Sequence, residues 1–222
     1  MVFVDLPYGA TQNTWDKPIP FAEMWSFLQR CTKENAALIF TATQPFASHL
    51  IVSNSADFRY DLVWQKNKPT GFLNANKQPL RTHEHLLVFY RKPPCYNPQK
   101  TQGHEPGHKA VRAKKSSNYG DYKSTDYGGS TERHPTSVLS IPILNNDSPE
   151  KVHPTQKPVE LAEWFIRTYT NENDIVLDFT MGVGTTGVGA IRLRRRFVGI
   201  ELHKPYFEIA QTRLAHAILD QP

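Results

Sequence analysis

A glycine-rich turn near the end of the chain places the strongest limit on what it can fold into. Residues 182–187 read Gly-Val-Gly-Thr-Thr-Gly, directly after the apolar run Ile175–Asp178 and before a segment with helical spacing. A strand, a glycine turn and a helix in this order bind nucleoside ligands, because glycine lets the backbone approach the ligand closely. Glu201 ends the next predicted strand, where a carboxylate can accept hydrogen bonds from both ribose hydroxyls. The alternative interpretation is a tight turn without a ligand, beside a glutamate on the surface.

The place of this turn in the chain argues against an ordinary dinucleotide-binding domain. Such a domain needs a second βαβ half after the first, and only residues 202–222 follow Glu201. The remaining strands must therefore come from upstream. We expect a circularly permuted, Rossmann-like α/β sheet with its catalytic half first and its cofactor half last.

The upstream segments fit this fold, because apolar runs alternate with helical spacings along the chain. The pattern predicts six strands and five helices, with boundaries as follows: strands at residues 2–5, 36–43, 59–65, 84–91, 174–178 and 197–201, and helices at 21–34, 45–53, 159–169, 182–194 and 205–219.

The middle of the chain has a different composition. Residues 91–157 contain eleven Lys and Arg against six Asp and Glu, and this difference equals the net charge of +5 of the whole chain. We therefore divide the chain into residues 1–91, a basic insert at 92–152, and residues 153–222. Basic residues interleaved with tyrosines suit a nucleic acid, and a solvated loop without a ligand is the alternative. With few apolar residues, Cys95 to Pro135 is expected to be poorly ordered without a partner.

Composition also indicates where the protein works. No apolar run approaches the roughly 20 residues needed to span a bilayer, and residues 1–5 lack the pattern of a signal peptide. Cys31 and Cys95 form no Cys-x-x-Cys pair, which favours free thiols. We expect a cytoplasmic protein of a bacterium or a phage-infected cell.

The segment Asp5-Leu6-Pro7-Tyr8 falls at the carboxyl end of the first predicted strand, where open α/β sheets bind ligands. The Asp5 carboxylate and the Leu6 carbonyl can accept the two hydrogens of a base amine, so that its lone pair turns toward a methyl sulfonium. Pro7 restricts Leu6 to an extended conformation, and the Tyr8 ring can support an unstacked base. A strand end followed by a simple turn is the alternative.

Taken together, these segments resemble the β-class amino-methyltransferases of DNA. That family places an (Asp/Asn/Ser)-Pro-Pro-(Tyr/Phe) motif first, then a target-recognition region, then its cofactor motifs. Residues 5–8 match the first motif, 178–186 resemble Asp-Pro-Phe-Met-Gly-Ser-Gly-Thr-Thr, and 199–201 resemble the motif that follows. Residues 153–158 resemble the His-Pro-Thr-Gln-Lys-Pro segment, which lies beside the methionine moiety of the cofactor.

The resemblance implies a function, a cofactor and a set of site residues. It implies S-adenosylmethionine-dependent methylation of double-stranded DNA by a homodimer, without a metal, at adenine N6 rather than cytosine N4 because Asp5 begins the motif. The catalytic residues are Asp5, Leu6, Pro7 and Tyr8. The cofactor residues are Thr155, Lys157, Asp178, Phe179, Thr180, Met181, Gly182, Gly184, Thr185, Thr186 and Glu201. The residues expected to contact DNA are Trp15, Lys109, Arg112, Lys114, Lys115 and Lys123; for Trp15, packing within its own loop is equally open.

The chain also departs from the family pattern. Leu6 replaces a proline, and Phe179-Thr180 stands where Pro-Phe is usual. The family has a strand and a helix before its catalytic motif, so either the true start lies upstream or the edge strand is missing. We expect an open sheet edge beside residues 197–201. Methylation of an RNA amine and a degenerate protein that binds DNA without turnover stay open.

Overall fold

The computed structural model describes residues 1–9, 16–107, 128–145 and 147–220, and the backbone alone of 115–116 and 120–121. Within these residues the elements follow one another in this order: β1 (Val2–Asp5), α1 (Phe21–Cys31), β2 (Leu38–Ala42), α2 (Phe46–Ser53), β3 (Phe58–Thr70), β4 (Arg81–Phe89), β5 (Lys115–Ser116), β6 (Gly120–Asp121), β7 (Val138–Ser140), α3 (Val159–Tyr169), β8 (Ile175–Asp178), α4 (Thr185–Arg192), β9 (Arg196–Gly199) and α5 (Lys204–Leu219). A short 3₁₀ turn, Phe72–Asn74, lies between β3 and β4.

The main sheet joins the two ends of the chain. Its strand order is β7-β3-β4-β2-β1-β8-β9. The first strand, β1, pairs in parallel with β2 on one side and with β8 on the other, where Val2 lies opposite Leu177. The circularly permuted, Rossmann-like α/β sheet expected from the sequence is therefore confirmed, although it is mixed and not wholly parallel, because β4 runs antiparallel to β2 and β3. Asp5 and Asp178 end neighbouring parallel strands.

Alternation along the strands divides the core between the two faces of the sheet. Val2 and Val4 point toward α1 and α2, where Met24 and Leu28 are buried. Phe3 points to the opposite face, where it stacks on Phe165 of α3 at 5.3 Å between ring centroids. With apolar residues on both faces, β1 is a fully buried strand, as its continuous apolar run predicts.

The main sheet has seven strands within the described residues, one more than the six predicted. The additional strand, β7, pairs in parallel with β3, and Val63 lies opposite Val138. Within the described residues, β9 has no strand on its outer side, so the open edge expected there is confirmed. Several boundaries also shift. For example, α1 ends at Cys31 instead of residue 34, β3 extends to Thr70 instead of residue 65, and β9 ends at Gly199, two residues before Glu201.

A second compact unit comprises Pro98–Thr136, which is narrower than the predicted insert at 92–152. Its described flanks pair with each other through backbone hydrogen bonds between Thr101 and Arg133 and from His104 N to Thr131 O. The prediction that Cys95 to Pro135 is poorly ordered without a partner stays a prediction. Most of residues 108–127 lie outside the described residues, apart from the backbone pairing of β5 with β6.

Candidate active site

The Asp5 carboxylate stands at the carboxyl end of β1 and is held by two hydroxyls. The Tyr8 hydroxyl donates to Asp5 Oδ1 at 2.8 Å, and the Thr41 hydroxyl donates to the same oxygen. Thr41 reaches it because the β1–β2 register places it directly opposite Asp5. The sequence argument missed Thr41, since only the pairing of the strands identifies it.

A lysine holds the second oxygen of Asp5. Lys157 Nζ lies 2.6 Å from Asp5 Oδ2 and 3.5 Å from Glu84 Oε2. Glu84, on β4, also pairs with Lys66, on β3. The four side chains form a row of alternating charges, Lys66–Glu84–Lys157–Asp5, which we call the ion row.

Burial and charge act in opposite directions within the ion row. Burial lowers the pKa of Lys157, but the carboxylates of Asp5 and Glu84 raise it by more, so its net shift is upward. Burial raises the pKa of Glu84, but Lys157 and Lys66 lower it by more. Glu84 Oε2 makes no hydrogen bond within the described residues and depends on Lys157 for compensation. Removing Lys157 would therefore leave two carboxylates without their shared cation.

The residues after Asp5 present the other groups predicted from the sequence. The Leu6 side chain is buried in the core on the α1 face, which anchors the backbone at this point. The Tyr8 ring is half-buried and packs against Phe46, 5.0 Å between centroids. Thr180 donates from its hydroxyl to the Asp5 carbonyl at 3.2 Å, which ties this segment to the end of β8.

The glycine turn needs its two glycines for different reasons. Gly182 and Gly184 both have positive φ, at 52° and 77°, a backbone conformation that favours glycine. A Cβ on Gly184 would approach the Cβ of Ala210 on α5 at 3.1 Å, so this glycine permits helix packing. A Cβ on Gly182 would meet no atom within 4 Å among the described residues, so Gly182 borders open space.

Two carboxylates organise this turn. Asp178 is buried, and it accepts hydrogen bonds from the backbone N–H of Thr180 at 3.1 Å and from the Thr186 hydroxyl at 2.7 Å. Burial raises the pKa of Asp178 to about 7, against the lowering effect of these two hydrogen bonds. Glu201 Oε2 accepts from Gly182 N at 2.9 Å, and its other oxygen accepts from His203 N at 2.7 Å. Glu201 is therefore fixed beside the open side of the turn.

The other predicted cofactor residues surround this turn or the segment before α3. The Phe179 ring meets Phe27 edge-on at 5.7 Å, the Met181 side chain is buried, and Thr185 Oγ1 lies 3.3 Å from Arg213 Nη1. Thr155 is exposed, and its hydroxyl oxygen lies 3.2 Å from His153 Nδ1.

His153 is a further site residue that the prediction left out. Its ring packs edge-on against Tyr206 of α5 at 4.5 Å. Burial lowers its pKa, while Asp5 and Glu201 both raise it. His153 therefore lies where the fields of the Asp5 and Glu201 carboxylates overlap.

Most of the predicted DNA contacts cannot be placed. Trp15, Lys109, Arg112, Lys114 and Lys123 lie outside the described residues, and only the backbone of Lys115 is described, in β5.

Neither a metal cluster nor a membrane helix is present in the described part of the chain. No group of three or more His, Cys, Asp or Glu side chains is arranged there to hold a metal ion. His83 and His85 lie ring to ring at 5.5 Å, and His85 Nδ1 is 3.2 Å from Asp61 Oδ2. None of the described helices has the length and apolar character needed to cross a bilayer.

Comparison with known proteins agrees with this geometry. Residues 1–212 match the family described as DNA methylase, N6_N4_Mtase. The Type II methyltransferase M1.MboII of Moraxella bovis is 26% identical over 230 residues, covering 93% of this chain and 85% of that protein.

Two solved structures have the same fold. The crystal structure of the M1.HpyAVI–SAM complex superposes with a TM-score of 0.64 at 25% identity, covering 96% of this chain and 87% of that one. The cytosine-N4-specific PvuII DNA methyltransferase also gives a TM-score of 0.64, at 15% identity, covering 96% of this chain and 78% of that one, which supports the fold alone.

Proposed function

The chain belongs to the DNA methylase family of N6 and N4 amino-methyltransferases, and on that premise we propose that it methylates the N6 amine of adenine in duplex DNA. One observation carries the proposal. The acceptor pair of Asp5 and Leu6 follows β1, and the glycine turn follows β8, the strand hydrogen-bonded to it. Amine acceptors and a nucleoside-binding turn thus open at the same end of adjacent strands, where such sheets bind ligands.

The residues of the turn fit S-adenosylmethionine, the methyl donor of this family. Open space lies where a Gly182 side chain would project, and the Glu201 carboxylate is fixed next to it by Gly182 N and His203 N. Glu201 would hold the ribose, and Thr155 and His153 would border the methionine end. When bound, this cofactor supplies an electrophilic methyl carbon on a sulfonium.

The residues of β1 then act on the base. Tyr8, fixed by its hydroxyl and by Phe46, supports a base turned out of the duplex. The Asp5 carboxylate, whose side chain remains 31% exposed, and the Leu6 carbonyl accept the two amine hydrogens. Held in this way, the nitrogen lone pair would be directed at the methyl carbon that the cofactor supplies, and water would take the surplus proton. Orientation supplies most of the rate enhancement.

Lys157 is proposed to fix Asp5 for this task. By bonding to Oδ2, it holds the carboxylate in one orientation. The preference for adenine over cytosine rests on Asp5 as the first residue of its motif. The homodimer is a proposal from the family resemblance, and sedimentation of the purified protein tests it.

The test is methyl transfer with the product base identified. Purified protein is incubated with methyl-tritiated S-adenosylmethionine and either duplex DNA, single-stranded DNA or RNA, and the nucleosides are separated by mass spectrometry. N6-methyldeoxyadenosine from duplex DNA is the expected product. N4-methylcytosine would overturn the choice of base, methylated RNA alone would overturn the choice of polymer, and DNA binding without any transfer would identify a degenerate binder.

A further inference from the structure

The hairpin between β3 and β4 extends from the sheet at the same edge as Asp5. Because β3 and β2 are both antiparallel to β4, β3 runs parallel to β2 and β1. Its carboxyl end therefore lies at the catalytic edge. Residues 67–82 form what we call the hairpin arm, which contains the last pair of the two strands, Thr70 with Arg81, and the turn beyond it.

The hairpin arm carries positive charge without compensation. Its basic residues are Lys68, Lys77 and Arg81, and no acidic residue occurs between Asp61 and Glu84. All three basic side chains are exposed. Lys68 donates to the neutral Asn145 amide oxygen at 2.7 Å, and within the described residues no carboxylate lies within ion-pair distance of any of the three. Charge of one sign in this position attracts a polyanion.

The tip of the hairpin arm is apolar and has a defined shape. Phe72 is 67% exposed and Leu73 is 100% exposed. Gly71, with φ 90°, opens the turn, and backbone hydrogen bonds from Asn74 N to Gly71 O and from Lys77 N to Asn74 O close it. Two large apolar side chains are thus presented to solvent on an ordered turn, beside basic side chains.

We propose that the hairpin arm is a DNA-contacting element, in which Lys77 and Arg81 neutralise phosphates and Phe72 and Leu73 pack against the bases or sugars of a groove. Apolar side chains on basic elements pack against base steps in this way. The inference rests on the proposed function, since it assigns part of the same DNA substrate to a surface outside residues 92–152. Charge favours DNA over an apolar protein partner as the occupant.

The first test separates phosphate contacts from general charge. The variant Lys77→Gln/Arg81→Gln is compared with Arg30→Gln/Lys33→Gln, which removes the same charge around the carboxyl end of α1, at the opposite end of the sheet. Affinity for a fluorescein-labelled duplex of mixed sequence is measured by anisotropy at about 50 and 200 mM salt. The affinity of the unaltered protein falls as the salt concentration rises between these two values. If two phosphate contacts are lost, this fall should be about tenfold smaller. The control variant should show the same fall as the unaltered protein. Equal behaviour of the two variants overturns the phosphate assignment.

The second test concerns the tip. Phe72→Ser/Leu73→Ser should weaken duplex binding by the same factor at both salt concentrations, roughly tenfold, because an apolar contact releases no counterions. Sedimentation of the same variant tests the rival occupant of the tip, which is a second copy of the chain. If affinity is unchanged and a dimer becomes a monomer, the tip contacts a second copy of the chain and its assignment to DNA is wrong.

These tests keep the two proposals apart. If the unaltered protein methylates DNA and both arm variants bind duplex as it does, only the hairpin arm has been assigned wrongly. If the unaltered protein neither binds nor methylates DNA, the proposed function has failed before the arm is tested.

Discussion

Asp5 and Asp178 occupy the same place on neighbouring strands, and both accept hydrogen bonds from hydroxyls, yet their surroundings differ in exposure and in charge. Each ends a four-residue strand, and the two strands pair in parallel. Asp5 remains partly exposed and faces an ammonium group. Asp178 is 4% exposed and faces a backbone N–H and a hydroxyl. The strand end therefore supplies a position, and the partners decide what the carboxylate does there.

The partners of the two carboxylates also determine how well each carboxylate can carry a negative charge. Within the described residues, Asp178 has no cation among its hydrogen-bond partners, and burial raises its pKa to about 7. We therefore assign Asp178 to the structure of the glycine turn and Asp5 to the base amine. The following substitutions test this division, from the largest expected effect on methyl transfer to the smallest.

The largest effect is expected at Asp5. Asp5→Ala removes one of the two amine acceptors, and transfer should fall about a thousandfold, at the upper end of the range known for loss of one charge-stabilising group. Cofactor binding, measured by calorimetry, should change little because Glu201 and the glycine turn are intact. Glu201→Ala is the matched control, with weakened cofactor binding as its main defect. An Asp5→Ala protein with ordinary turnover would remove Asp5 from the chemistry.

Lys157 should come second. Lys157→Met keeps the length of the side chain but leaves Asp5 and Glu84 without their shared cation, which costs about 3 kcal/mol of stability as for other broken buried pairs. We expect kcat to fall about a hundredfold, as for a lost electrostatic contact, with a smaller change in the KM for DNA.

The control for Lys157 lies at the other end of the ion row. Lys66→Met removes the cation that pairs with Glu84 but does not touch Asp5. It should lower the melting temperature and leave kcat much closer to its original value. Equal losses of kcat in the two variants would show that Lys157 acts through stability alone.

The sequence was sufficient to predict that Asp5 and Asp178 end two strands, but not to predict all the side chains that hold their carboxylates. Apolar runs located β1 and β8, and the position of the glycine turn implied that they are neighbours. Thr41 could not be found this way, because only the register of β1 against β2 puts its hydroxyl at Asp5. Strand β7 escaped because it is only three residues long and only its central Leu139 is buried.

Glu84, by contrast, could have been identified from the sequence pattern. It shares the strand phase of Leu86 and Val88, both fully buried, so alternation places it on a core face. An acidic residue in that phase requires a buried cation. His83 and His85 occupy the opposite phase of the same strand.

A smaller effect is expected from the Tyr8 hydroxyl. Tyr8→Phe keeps the ring against Phe46 and removes one hydrogen bond to a charged group, worth about 1.5 kcal/mol or roughly tenfold in rate. The KM for DNA should be nearly unchanged, because the stacking surface is retained. Thr41→Val removes the other hydroxyl on the same oxygen and should reduce kcat similarly. If Tyr8→Phe instead raises KM with kcat unchanged, the hydroxyl binds DNA and does not orient Asp5.

The smallest effect on transfer is expected at Asp178, where the consequence is pH-dependent stability. Its folded-state pKa of about 7 exceeds the ordinary value of 3.8 for an aspartate. Between these two values the folded protein retains a proton that the unfolded chain releases, so the contribution of this group to stability falls as pH rises from about 4 to 7. Below that window the carboxyl is neutral in both states and carries no penalty, and above it the full penalty of a buried charge applies. Asp178→Asn can keep both hydrogen bonds, because the Thr186 hydroxyl can accept from the new amide.

The Asn variant should therefore gain stability relative to the original protein as pH rises through this window, while transfer at neutral pH stays close to its original level. Urea unfolding at several pH values measures the first and the tritium assay the second. Glu172→Gln, at an exposed position, controls for the loss of one negative charge. If Asp178→Asn abolishes transfer while it folds normally, then the two strand-end carboxylates share the chemistry, and the contrast drawn from their partners is wrong.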